Sequence, residues 1–173
     1  MNLSKRLGPV RPGLYLAILT LLFGIFMGVS FGVNEDGYKH TIKAGIAAHP
    51  EVHGKHAKKH VGKIWRYAQR SHFHATGIGA FTLGLILLLA LTDMKACFKR
   101  AAAVLIGLGG SYPLAWFSMY RLSPSMGPHA AHEAWQTVLF TYVGVGGLLL
   151  GLLLLILHLL FGLFSSSSDD TQP

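Results

Sequence analysis

The residues best equipped for chemistry in this chain are its histidines, and they are unevenly placed. There are ten. All but His158 fall in the first or third connection between four apolar segments, or at the mouth of the segment that follows. His72 and His74 open the second apolar segment. His129 and His132 stand just before the fourth, in Gly127-Pro128-His129-Ala130-Ala131-His132-Glu133-Ala134-Trp135. The second and fourth helices of a four-pass chain enter a membrane from one face, so the two pairs are expected to converge at one depth. Imidazole is the commonest neutral metal ligand at physiological pH. Ionisable residues at membrane depth are functional candidates.

The elements that must hold these residues are apolar helices. The 173 residues have 13% charged side chains and a mean hydropathy of +0.45. Crossing about 30 Å of hydrocarbon takes roughly 20 apolar residues, and four runs qualify. Helices are expected over about 13–33, 72–92, 101–120 and 135–164. A basic, histidine-rich connection fills 34–71 and a disordered polar tail 165–173. The fold class is all-α, an integral membrane four-helix bundle over 1–164. Asn34-Glu35-Asp36-Gly37 reads as a turn at the water interface. Pro113 has no N–H for the Gly109 carbonyl, which predicts a kink. Gly24, Gly28 and Gly32 form a small-residue seam for close helix packing, including packing against other membrane subunits. The single Cys97 rules out an internal disulfide, Cys-rich zinc or iron–sulfur sites and covalent c-type haem.

The net charge of +8 is also uneven. Lys5, Arg6 and Arg11 precede the first helix, and Lys95, Lys99 and Arg100 fill the short second connection. The raw count of basic residues in the first connection, Lys39 to Arg70, favours a cytoplasmic histidine side. The first-helix flank and the short second connection favour cytoplasmic termini and the histidine side outside, as in a bacterial inner membrane, and this is the orientation expected. From Pro50 one helix is expected to run through Arg70 into the membrane. On it His53, His56 and His60 share one face. Lys55, Lys59, Lys63, Arg66 and Arg70 form another stripe, with almost no apolar face. Such a helix needs a partner, for which an acidic soluble electron carrier suits. The plainer reading makes Tyr38 to Lys63 a mobile basic loop adsorbed to anionic lipid. No nucleic-acid partner is expected.

Several chemistries fit the histidines. Two positions apart, His72 and His74 point about 200° from each other on a helix, and His74 continues the His53-His56-His60 face. A haem b between the second and fourth helices would take His74 and His132 as axial ligands, with His129 or His72 as substitutes. Gly77, Gly79, Phe81, Gly144, Gly146 and Gly147 offer room or ring contacts along those helices. Arg66, Arg70 and Arg121 suit its propionates. Two saturating imidazoles would make it a carrier of single electrons. A copper or zinc site could use His72, His74, His129, His132 and Glu133. A di-iron oxygenase ranks third, since no adjacent His-His pair occurs. Without a cofactor the histidines hydrogen-bond headgroups or each other, and the chain is an accessory or assembly subunit. His158, alone at the other end, reads as an inter-helix hydrogen-bonder.

His72-Phe73-His74, followed by Gly77 and a leucine-rich helix, resembles the helix start in heme-copper oxidase and nitric-oxide-reductase-like membrane subunits. There a helix-entry histidine ligates a haem. The four-helix architecture is similar to that of small membrane b-type cytochromes. The resemblance implies haem ligation at His74 and a role in electron transport. It does not extend to oxygen chemistry, because the oxidases' other metal ligands are absent, and it makes a stand-alone enzyme less apt than an electron-transfer or accessory subunit.

Overall fold

The computed structural model describes residues 6–166. Six helices follow in order: α1 Arg11–Ala47, α2 Pro50–His53, α3 Ala57–Leu91, α4 Ala96–Gly107, α5 Tyr112–Glu133 and α6 Trp135–Phe161. Short 3-10 turns at Gly54–His56 and Leu108–Ser111 join α2 to α3 and α4 to α5. Four rods result that are long and apolar enough to cross a membrane: Arg11–Ala47, Pro50–Leu91, Ala96–Glu133 and Trp135–Phe161. Among the described residues there is no strand, only an isolated bridge between Met94 and Ser165.

Each break in a rod has a local cause. Asn34 leaves helical geometry at φ −143° and ψ 44°, and its Oδ1 accepts the Gly37 N–H at 3.2 Å. The segment expected to end the first helix therefore kinks and recaps it. Asn is a strong N-cap, and Glu35 and Asp36 favour the renewed helix's positive end. In the second rod, Gly54 takes φ 45°, so the helix expected from Pro50 is interrupted once. In the third, the Tyr112 N–H bonds the Gly109 carbonyl that Pro113 cannot serve. Further on, Gly127 at φ 83° separates the main length of α5 from a last turn carrying His129 and His132.

The third rod is the hub. It packs on all three others, whereas α6 packs along α4, the 3-10 turn and α5. The second and fourth rods are thus held apart by the third. Contacts at mid-depth run through glycine. A Cβ on Gly24 would lie 2.7 Å from the Thr76 nitrogen, and one on Gly144 2.5 Å from the Tyr112 nitrogen. Gly24 and Gly28 are filled within the chain, by α3, while Gly32 opens on nothing.

Two buried clusters bracket this middle layer. One gathers Val10, Ile86, Leu89, Ile106 and Leu155. The other joins Ile42 and Ile46 of α1 to Ile64, Trp65, Tyr67 and Ala68 of α3 and to Met119 and Tyr120 of α5. This second cluster corrects the expectation of a basic segment without an apolar face. The outer half of α3 has one, and the outer half of α1 covers it. Each large side chain so buried contributes about 1.5–3 kcal/mol, so Tyr38 to Lys63 is held as packed helix and turns instead of loop. Leu19, Phe26 and Val33 of α1 and Leu149, Leu153 and Leu160 of α6 face outward, a surface suited to hydrocarbon.

The two described ends meet at the turn after α3. Arg6 Nη1 donates to the Leu91 carbonyl at 2.9 Å, and the Lys95 N–H donates to the Phe164 carbonyl at 2.8 Å. His158 is 5% exposed there. Its Nδ1 donates to the Leu163 carbonyl at 2.6 Å and its Nε2 meets Asp93 Oδ1 at 3.0 Å. Ser165 and Ser166, read as the start of a disordered tail, pair with Met94 and Asp93; residues 167–173 lie outside the described part.

Gly24→Val drives a branched side chain into the α3 backbone and should cost about 1–3 kcal/mol. Gly32→Val, in open space, should change stability by less than about 0.5 kcal/mol. Thermal unfolding of both variants in detergent checks this, and equal melting temperatures would refute the close packing.

Candidate functional site

His72 and His74 point to different rods, as residues two apart on a helix must. His72 Nδ1 donates to the Gly24 carbonyl of α1 at 2.8 Å. Its ring lies over Gly28, where a Cβ would come within 2.5 Å of Cε1. His74 turns to α5. Its ring stacks on Trp116 at 5.7 Å and 20°, and meets Tyr112 edge-on at 5.2 Å. The Arg70 guanidinium lies 4.7 Å from the Trp116 ring centre, a cation–π contact. His74, Arg70 and Trp116 therefore form one packed unit across the second and third rods.

His132 shares a cavity with Arg70 and Trp116 of that unit. The backbone break at Ala134 leaves the Ala131 carbonyl without its helical partner, and Thr137 Oγ1 supplies the hydrogen at 2.8 Å. His132 is left exposed, bordering two adjoining cavities. The first, about 220 Å³, is an apolar trough between α5 and α6 lined by Tyr112, Ala115, Trp116, Met119, Val138 and Tyr142. The second, about 440 Å³, is a shelf lined by Lys59, Lys63, Arg66, Tyr67 and Arg70 of α3. Trp116 and His132 belong to both. The Trp116 Nε1–H is buried and has no hydrogen-bond partner among the described residues.

Together these cavities make a cleft with an apolar half and a cationic half. Lys59, Lys63, Arg66 and Arg70 follow spacings of four, three and four on α3, so they share one face over about 16 Å of helix. Like charges so spaced repel by roughly 0.2–0.5 kcal/mol per pair, and an anion on the shelf reverses the sign. Glu133 lies in a neighbouring cavity with His129, whose Nδ1 is 3.3 Å from its Oε2.

Of the residues singled out in the sequence, the fold brings Arg66, Arg70 and His132 to this cleft. His129 and Glu133 border it. His72 belongs to the α1 contact, Arg121 is exposed and lines no part of the cleft, and His74 is screened from it by Trp116 and Tyr112. The slot expected between the second and fourth helices is occupied by the third. Of the glycines expected to make room there, Gly79 packs on Leu21 of the first rod and Gly144 and Gly147 pack on Tyr112 and Leu108 of the third, while Gly77 and Gly146 meet nothing within 4 Å. Among the described residues, no group of three or more His, Cys, Asp or Glu side chains is gathered to hold a metal ion. Tyr67, Trp116 and Tyr142 were missed; their signal was aromatic residues with polar tips at interface depth.

A second histidine group lies above the cleft. His53, 2% exposed, has Nε2 3.0 Å from the Pro124 carbonyl and Nδ1 2.9 Å from His60 Nδ1. Four residues after Pro124 stands Pro128, with no N–H to give, so the imidazole replaces a missing helical bond.

No family model, curated protein or solved structure matches the chain, so its function is read from this geometry.

In protein stripped of lipid, Trp116→Phe removes a buried donor that no group among the described residues satisfies, and an unmet buried donor costs about 1–3 kcal/mol. The melting temperature should stay level or rise. Trp116→Ala should lower stability by about 3–5 kcal/mol through lost packing. A clear loss on Trp116→Phe would show that the indole N–H has a partner within the protein.

Proposed function

We propose that this chain is a membrane-embedded binding protein for an anionic phospholipid, which enters the cleft beside Trp116 from the bilayer. The observation that carries this reading is the junction of trough and shelf: one apolar half, one half with four cations, and Trp116 and His132 shared between them. An acyl chain suits the trough, and a phosphodiester suits the shelf.

Size and charge both favour a headgroup as the occupant. Sites for small molecules run about 300–1,000 Å³. The two cavities hold a headgroup and the upper part of its chains, with the remainder of the lipid staying in the bilayer. Basic residues near an anionic lipid surface contribute about 1 kcal/mol each. Four of them set a ceiling of about 4 kcal/mol, or roughly a thousandfold preference over a zwitterionic lipid.

A second reading has one observation in its favour. His132 borders both halves of the cleft, which is where an axial ligand would stand if the apolar body were a haem b and the shelf held its propionates. Bound there, a haem would supply one-electron redox chemistry. The electron-carrier reading relied on two saturating imidazoles, and the cleft presents one, so this version is the weaker.

Native mass spectrometry decides the matter on protein released from nanodiscs of mixed phosphatidylglycerol and phosphatidylcholine. The wild type should retain phosphatidylglycerol. Replacing Lys59, Lys63, Arg66 and Arg70 with Gln should reduce retention at least tenfold, and added salt should weaken it for the wild type only, because screening acts over about 8 Å at physiological ionic strength. Equal retention of the two lipids would refute the proposal. A Soret band lost in His132→Ala and kept in His74→Ala would replace the lipid with haem.

A further inference from the structure

We propose that His53 and His60 form a proton-operated clasp, which holds the basic arm of α3 against α5 at neutral pH and releases it in acid, loosening the cleft. The proposal rests on the cleft reading for its consequence, but the clasp itself stands on its own geometry.

Hydrogen bonding assigns the protons. A carbonyl only accepts, so His53 Nε2 must carry a hydrogen for Pro124. With His53 neutral, its Nδ1 is then a lone pair, and the hydrogen between the rings belongs to His60 Nδ1. One further proton is tolerated. A cationic His53 can donate from Nδ1 to a neutral His60, or a cationic His60 can donate to His53. A second is not, because two imidazolium rings would set two N–H donors against each other at 2.9 Å. The clasp therefore has a defined proton limit, which an ordinary hydrogen bond lacks.

The surroundings lower that limit's reach. His60 lies beyond the apolar belt, in the outer tier. Burial holds its pKa below the usual imidazole value, reinforced by His53, His56, Lys63 and Lys59 in that order. Across the adjoining cavity α5 presents His129 and Glu133, which pair with each other, and α1 sets Gly45 against Pro124. Because the folded value is depressed, this contribution to stability is full above about pH 6.5, the ordinary imidazole value. It is lost as pH falls through the lowered one.

Release would matter to the cleft because the same stretch of α3 carries both. His60 lies between Lys59 and Lys63, and Lys63 faces Pro128, His129 and His132 across one cavity. Pro124, which His53 grips, precedes Gly127 and the turn that carries His132. A phosphodiester keeps its charge throughout this pH range. Each proton taken up by the histidines only adds positive charge beside the shelf, so loss of ligand in acid would report the widened cleft and not a weaker attraction between charges.

The test uses spin labels at Val52→Cys and Met126→Cys in a Cys97→Ser background. Both sites are partly exposed, and Val52 packs against Gly127 across the clasp. In phosphatidylglycerol-containing nanodiscs the wild-type histidines should give one short distance at pH 7.5. A longer population should grow towards pH 4.5, with its midpoint below 6.5. His53→Ala should show the long population at both values. His60→Asn keeps an amide donor at the Nδ1 position without titrating, and should stay closed at both. Phosphatidylglycerol retention should fall several-fold in acid for the wild type and hold level for His60→Asn. A wild-type distance unchanged between pH 7.5 and 4.5 would overturn the clasp. So would His60→Asn opening in parallel with the wild type, or standing open at pH 7.5. If the distances behave as expected and no phosphatidylglycerol is ever retained, the clasp stands and the cleft reading falls.

Discussion

The structure depends on how the third rod's backbone is satisfied. A carbonyl shut away from water, by hydrocarbon or by packed side chains, must find its hydrogen within the protein, so breaks in a buried helix are repaired from within. This rod is broken by Pro113, Pro124 and Pro128, and by the extended backbone at Ala134. The repairs differ. At Gly109 the chain tightens into a 3-10 turn and the Tyr112 N–H takes the carbonyl. At Pro124 the hydrogen comes from His53, 71 residues away in sequence. At Ala131 it comes from Thr137 at the head of α6. Two of the three repairs cross between elements, so the breaks that weaken the rod locally are what tie it to its neighbours.

This arrangement explains much of the histidine distribution. His53 serves a proline-broken carbonyl, His72 reaches the Gly24 carbonyl and His158 joins Leu163 to Asp93. These are buried or half-buried rings whose partners are fixed by the fold. Imidazole suits such duty at a membrane boundary because it can donate from one nitrogen while its flat apolar ring packs against a glycine or an aromatic. His132 is different: it is exposed, lines the cleft, and sits on the short turn that the Gly127 break creates. Part of the conspicuous feature of the sequence is thus structural, and the histidine that lines the cleft is one among several that looked alike.

How far the sequence could be read follows from the same distinction. The four apolar rods were legible from length and hydropathy, and so was the isolation of His158, because both depend on composition along the chain. Asn34-Glu35-Asp36-Gly37 was ambiguous by nature: the residues that favour a turn also cap a helix, and only the packing of Ile42 and Ile46 against Ile64 and Trp65 decides that the helix resumes. The apolar face of α3 was obscured by the lysines beside it, since Ile64, Tyr67 and Ala68 gain meaning only when α1 covers them. The order of packing was not legible at all. Entry from one face does not make two helices neighbours, and the third rod stands between the second and fourth.

That hub position also fixes where a ligand can reach the protein. The second rod brings Arg70 and His74 to one side of Trp116, and the fourth brings Tyr142 and Val138 to the trough beside it. An indole placed so is a wall with two faces. One is covered by protein, which holds the ring at a set depth and angle. Its edge carries a buried N–H that nothing in the described chain accepts. Leaving such a donor unmet costs about 1–3 kcal/mol, which the packing around the ring offsets, and the adjoining cations favour a ligand with negative charge. The apolar trough then selects among anions, because a free phosphate gains nothing from Tyr142 or Val138, whereas a molecule with a hydrocarbon body gains about 25 cal/mol for each Å² it buries there. Rigid aromatic wall, cationic shelf and open trough each admit many ligands; an acidic amphiphile is the class that answers all three.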